Sequence, residues 1–189
     1  APAANVSFSA VNQGQLIATL NGTTAANRID LVPQGGTGTI TVLRRVGNLD
    51  FNGDIDISHT GWNNGVAAQD RKIVLLVEGG NVTINGNLNF SDDANGFLAI
   101  FASGNITVAG TVGEPDGGVD ISLTAYPPHL EGVFFAQGTF DTSVSDAKIR
   151  VDGSVIGLSN VVLGRTYKGL TPTEHFTFRP SLTVTLYRI

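Results

Sequence analysis

The residues best suited to chemistry in this chain are four oxygen donors, Asp50, Asn52, Asp54 and Asp56, which alternate along one short stretch. Their spacing is that of the opening of a calcium loop, and hard cations are held by such sets of carboxylate and amide oxygens. Calcium is therefore the one cofactor the sequence suggests. A helix–loop–helix calcium site also needs a bidentate Glu at its far end, and none stands at that offset. The plainer reading is that alternate polar residues form the solvent face of a strand.

Three asparagines, Asn48, Asn81 and Asn105, each follow a glycine at the head of a repeated phrase. In stacked strands, equivalent Asn side chains form ladders that bond the backbone of the neighbouring layer. Sugar binding is the other use of such a row. His59, His129 and His175 lie far apart in loop-like settings without metal-ligand spacing, and nothing resembles a nucleophile elbow. Asp120, Asp141 and Asp152, with Arg150 nearby, are the carboxylates a polysaccharide-cleaving enzyme would use. They form no distinctive cluster, so no catalytic residue is assigned and the chain is not read as an enzyme. Sequons at Asn5, Asn21, Asn81, Asn89 and Asn105 arise readily where Asn and Thr alternate on strands.

The elements that must position these residues are short strands. The phrase Gly-Asn-apolar-x-apolar-x-Gly occurs at Gly47 to Gly53, at Gly80 to Gly86 and at Gly104 to Gly110. A weaker copy around Gly153 lacks the opening Gly-Asn. Apolar residues at every second position between turn residues mark a strand with one buried face. Apolar runs at 73–77 and 97–102, and a similar stretch at 133–140, precede or interleave with the phrases and read as buried strands. Repetition of such units predicts layers that hide their apolar faces against one another. The intervals between phrases are uneven, 33 and then 24 residues. Unevenness of this kind fits an all-β, right-handed parallel β-helix (a β-solenoid) with corner loops, one of them the polar stretch 59–71 that holds Trp62.

Both ends depart from the pattern. Residues 1–38 read as an N-terminal β cap or assembly segment with strands over 6–10, 15–20 and 28–32. Residues 39–165 read as the solenoid core, and 166–189 as a C-terminal cap and closing strand. Thr171-Pro172-Thr173-Glu174 is suited to open a single helical turn. The alternating residues Val6 and Phe8, and Leu182, Val184 and Leu186, mark terminal strands able to pair across subunits.

Composition narrows the function classes. The chain of 189 residues has 24 Gly, no Cys, 14% charged residues and a net charge of −5. Without a run of Lys or Arg it lacks the footprint of a nucleic-acid binder, and no apolar stretch is long enough to span a membrane as a helix. The opening Ala-Pro-Ala-Ala reads as a mature N-terminus or a boundary. Together with low charge and Asn/Thr/Gly richness, this leads us to expect a secreted protein at the cell surface.

The last third carries a resemblance. Phe134-Phe135-Ala136-Gln137-Gly138-Thr139, the stretch 149–155, Val161-Val162-Leu163-Gly164-Arg165, Thr171-Pro172-Thr173-Glu174 and the Phe-Arg-Pro close over 176–180 resemble the endings of uncharacterised secreted bacterial β-solenoid proteins, surface- or pilus-associated. Thr173 stands where that pattern has Ala. The resemblance implies an extracellular β-solenoid and no known activity. The expected function is structural: a self-assembling subunit or module of a surface filament, surface layer or adhesin, whose partners are copies of itself or other surface proteins. The alternative is a carbohydrate-binding or carbohydrate-cleaving β-helix, tailspike-like, with glycans as ligands.

Overall fold

The computed structural model describes residues 6–9, 28–31, 40–56, 72–90, 96–115, 126–167 and 172–180. They are all-β, with essentially no helix. The chain forms β1 (Val6–Ser9), β2 (Arg28–Leu31), β3 (Ile40–Val46), β4 (Leu49–Asn52), β5 (Ile55–Asp56), β6 (Lys72–Glu78), β7 (Val82–Asn85) and β8 (Leu88–Asn89). There follow β9 (Phe97–Ala102), β10 (Ile106–Val108), β11 (Leu130–Ala136), β12 (Thr139–Asp141), β13 (Ile149–Gly157), β14 (Asn160–Val162) and β15 (Glu174–Thr177).

These strands build two sheets. The first has the order β1-β4-β7-β10-β12-β14 and is parallel throughout. The second runs β15-β13-β11-β9-β6-β3-β2, parallel except for β2, which is antiparallel to β3. From β3 to β15 the chain alternates between the sheets, with the short β5 and β8 pairing beside them. The three Gly-Asn phrases supply β4, β7 and β10, which are neighbours in the first sheet, and the apolar runs supply β6, β9 and β11 of the second.

Register follows from the period-2 pattern. Leu49 pairs with Val82, Val82 with Ile106 and Ile106 with Phe140, all fully buried. Across from them run Leu43, Leu75, Ile100 and Phe134 in matched positions. Both rows belong to one core shared by the two sheets. A slip of one residue would turn a whole row to solvent, at about 1.5–3 kcal/mol for each Leu, Ile, Val or Phe exposed. The second sheet is apolar on its other face too, where Val74, Phe97, Ala99 and Val133 form a separate buried cluster. That explains why β6 and β9 read as continuous apolar runs rather than alternating ones.

Glycine is needed where the layers meet at corners. A Cβ on Gly80 would lie 2.2 Å from the carbonyl carbon of Gly47, and one on Gly86 would lie 2.1 Å from that of Gly53. Backbone stacks on backbone there, which only glycine permits.

One local expectation is revised. The helical turn expected at 171–174 is absent: Glu174 to Thr177 form β15, in register with Ile149 to Asp152 of β13. Pairing with an edge that was otherwise open outweighs the weak helix-start signal. In the N-terminal region, β1 extends the first sheet in parallel while β2 joins the second. The expected strand over 15–20, the loop at 59–71 with Trp62, and Leu182, Val184 and Leu186 lie outside the described residues.

Candidate functional site

The asparagines form a ladder along one corner. Asn81 N–H donates to Asn48 Oδ1 at 2.9 Å, Asn105 N–H to Asn81 Oδ1 at 2.8 Å, and Thr139 N–H to Asn105 Oδ1 at 2.8 Å. The next corner repeats the device on a smaller scale: Asn85 Nδ2–H donates to Asn52 Oδ1 and Asn87 N–H to Asp54 Oδ1, both at 2.8 Å. Asn48, Asn81, Asn105 and Asp54 thus each satisfy a backbone N–H that the parallel ladder leaves open, while Asn52 joins a side-chain amide. Asn52 and Asp54, two of the four residues considered for calcium, are engaged in these contacts between layers. Asp50 lies in β4 opposite Thr83, and the side chain of Asp56 lies outside the described set. Among the described residues no group of three or more His, Asp or Glu side chains is placed to hold a metal ion.

A second cluster ties the later layers together, and Arg165 is its centre. It is 6% exposed. Its Nε–H donates to Thr142 O at 2.7 Å and its Nη1–H to Val112 O and Ala147 O at 2.7 and 3.1 Å, with a longer reach of 3.4 Å to Gly110 O. Nη2–H donates to Ala109 O at 2.9 Å, and the Arg165 backbone N–H donates to Glu174 Oε1 at 2.9 Å. Burial pulls the guanidinium below its ordinary range, while Glu174 and Asp141 act in the opposite direction. The planar five-donor fork suits a cavity lined by carbonyls in a way no lysine can match.

Two further pairs extend the cluster. Buried Glu131 accepts Phe90 N–H at 2.6 Å on Oε2 and Arg179 Nη1–H at 2.5 Å on Oε1. The arginine of the Phe-Arg-Pro close therefore reaches back 48 positions. Arg150 binds Asp152 in bidentate fashion, at 2.9 and 2.8 Å, and donates to Tyr126 O. His129 is buried, not a loop residue at the surface; its Nδ1 accepts the Arg150 N–H at 2.9 Å. The proton of the neutral ring therefore sits on Nε2, 3.5 Å from Glu114 Oε1. Burial lowers the His129 pKa, Glu114 opposes this, and Arg165 and Arg150 add to it. A donor at Nε2 cannot bind a metal there.

The carboxylates considered for glycoside cleavage are not gathered. Asp141 is in the first sheet, its Oδ1 accepting Ser143 N–H at 2.7 Å; Asp152 is in the second, paired with Arg150; Asp120 lies outside the described residues. His175 stands on β15 opposite Arg150. Among the aromatics a sugar surface would use, Phe140 is fully buried, Tyr126 is half-buried and Trp62 lies outside the described residues.

A different row is open. On the outer face of the second sheet Leu76, Phe101 and Phe135 pair across three strands, with the Phe rings 5.7 Å apart and tilted by 40°. They floor a groove of about 430 Å³ edged by Glu78, Ser103, Gln137 and Leu158. Sequence reasoning assigned these phenylalanines to buried strands because β9 and β11 are apolar at nearly every position. Only the pairing register distinguishes the outer face from the inner. No family model, no curated protein and no solved structure matches this chain.

Proposed function

We propose that the two sheets are faces of one right-handed parallel β-helix and that the protein is an extracellular structural subunit. In this reading it assembles with copies of itself, or with other surface proteins, into a filament, layer or adhesin shaft. Support comes chiefly from one observation. The polar side chains that would otherwise serve catalysis or binding — the Asn row, Asp54, Glu131, Arg150 and Arg165 — are engaged in bonds to distant parts of the chain. A chain that devotes its polar groups to such internal contacts is built for stiffness. No helix among the described residues is long and apolar enough to cross a membrane.

Negative-stain electron microscopy of the purified protein, with its mass in solution, tests this reading. Regular filaments or sheets are expected, and discrete monomers at all concentrations would overturn it. The groove floored by Phe101 and Phe135 favours a second reading, a carbohydrate-binding module, which predicts such monomers together with signal on a glycan array.

A further inference from the structure

The layers are unequal at the two ends of the first sheet. Its last strand, β14, has no partner on its outer edge among the described residues. Apolar exposure concentrates beside it: Leu158 is 64% exposed, Val161 38%, Val162 37% and Leu163 54%. β13 is covered beyond by β15 only from Ile149 to Asp152. An exposed parallel edge flanked by apolar side chains is a template for another strand.

The ladder specifies which strand. Asn160 precedes Val161 as Asn48 precedes Leu49, Asn81 precedes Val82 and Asn105 precedes Ile106; the registers carry Leu49 through Val82, Ile106 and Phe140 to Val161. In the earlier layers the Asn Oδ1 takes a backbone N–H of the following layer. Asn160, exposed, has no such donor among the described residues. The edge groups agree. Leu49 N–H donates to Asn81 O and Val82 N–H to Asn105 O, each toward the following layer. Val161, at the same position, therefore points its N–H outward, away from β12.

The complementary phrase stands at the other end of the chain. Asn5-Val6-Ser7-Phe8 repeats Asn-apolar-x-apolar, and Val6 is in register with Leu49. Among the described residues β1 is the opposite terminal strand of the same parallel sheet. We infer that copies of this chain stack head to tail, with β14 of one copy pairing in parallel with β1 of the next. Val161 lies opposite Val6, and the outward Val161 N–H and the Asn160 side chain face the next copy's strand. This rests on the assembly reading above and names its joint. The contact is heterologous and does not close on itself, so it propagates as a fibre. The six strands of the first sheet in each copy, at about 4.8 Å each, set an axial repeat of roughly 29 Å along that sheet.

Paired cysteines test the joint. The chain has no Cys, so Ser7→Cys with Val162→Cys introduces the only two thiols, at positions that the register Ser7–Asp50–Thr83–Thr107–Asp141–Val162 sets opposite each other. Within one copy they are five strand spacings apart, roughly 24 Å, far beyond disulfide reach. Mild oxidation should give a ladder of covalent multimers on a non-reducing gel. The wrong-parity pair, Ser7→Cys with Val161→Cys, should give on the order of tenfold less, because only facing thiols gain a high effective concentration. Val161→Pro supplies an independent check. It removes only the outward N–H, which an edge strand tolerates, and should shorten the fibres while leaving the monomer's melting curve in place. Filaments without a register-dependent ladder, or fibres unaffected by Val161→Pro, would overturn this joint and leave the assembly reading standing. Absence of any assembly would overturn both.

Discussion

Replacing Arg165 by Met tests whether the later layers depend on one buried guanidinium. The substitution keeps the apolar stem and removes the charge, and with it the cation that Glu174 and Asp141 act on. It takes away the donors that stand 2.7 to 3.1 Å from the carbonyls of Val112, Thr142 and Ala147, whereas the Ala109 carbonyl, 2.9 Å from Nη2, keeps the Val112 N–H at 3.0 Å. The fifth contact, at 3.4 Å to Gly110 O, is too long to count for much, and Ser145 Oγ–H already serves that carbonyl at 2.6 Å. An orphaned buried acceptor costs about 1–3 kcal/mol, and three neighbours are not additive because one entering water can serve two of them. The desolvation cost of the cation is recovered, which offsets part of the loss. The net expectation is a loss of about 4 kcal/mol, a large share of the roughly 5–15 kcal/mol typical of a domain. In urea, with a slope of about 2 kcal/mol per molar, the midpoint should fall by about 2 M. Arg165→Lys should recover less than half of that, since an ammonium cannot span four diverging carbonyls. A loss below about 1 kcal/mol for Arg165→Met would refute the reasoning, because the carbonyls would then be satisfied without the arginine.

Two other predictions use adjacent glycines and one histidine. Gly80→Ala puts a methyl 2.2 Å from the Gly47 backbone, whereas Gly79→Ala meets open space but forces Ala to φ +64°. The first should cost upwards of about 3 kcal/mol by overpacking, the second about 1–2 kcal/mol by backbone strain, and equal melting shifts would show that the corners are not in contact. For His129 the folded pKa lies below the ordinary 6.5, so the folded state binds fewer protons than the unfolded chain. Stability then rises with pH through that window and is lost as pH falls below about 6.5. His129→Asn, which retains an acceptor for the Arg150 N–H, should flatten the slope of urea midpoint against pH between 5 and 7. An unchanged slope would place the titration elsewhere.

The legible part of this protein was its layering. Gly-Asn phrases at Asn48, Asn81 and Asn105 predicted strands, and these became adjacent parallel neighbours because one-sided apolar alternation can be buried only by stacking like on like. The apolar runs of β6, β9 and β11 were visible as strands, yet their outer row could not be distinguished from the inner one by periodicity. Phe101 and Phe135 consequently escaped notice as an open surface. The Arg165, Glu131 and Arg179 contacts had no local signature at all. Their side-chain bonds join positions 18 to 56 residues apart along the chain, a pairing that depends on which parts of the chain the strand order brings together. β15 was misread for the related reason that a local Thr-Pro-Thr-Glu signal carried no information about the vacant edge of β13.

The Asn ladder also bears on how freely the chain can be re-engineered. Its bonds are all 2.8 or 2.9 Å, although the joined residues are 33, 24 and 34 positions apart. Contour length and axial register are therefore decoupled: whatever is inserted between two layers must only return to the next asparagine. Lengthening such an excursion from 24 to 34 residues costs about 0.3 kcal/mol in closure entropy, less than one bond of the ladder is worth. The corners are consequently cheap ports for foreign loops, and a cargo peptide grafted at one of them would recur along any assembly with the periodicity of the subunit.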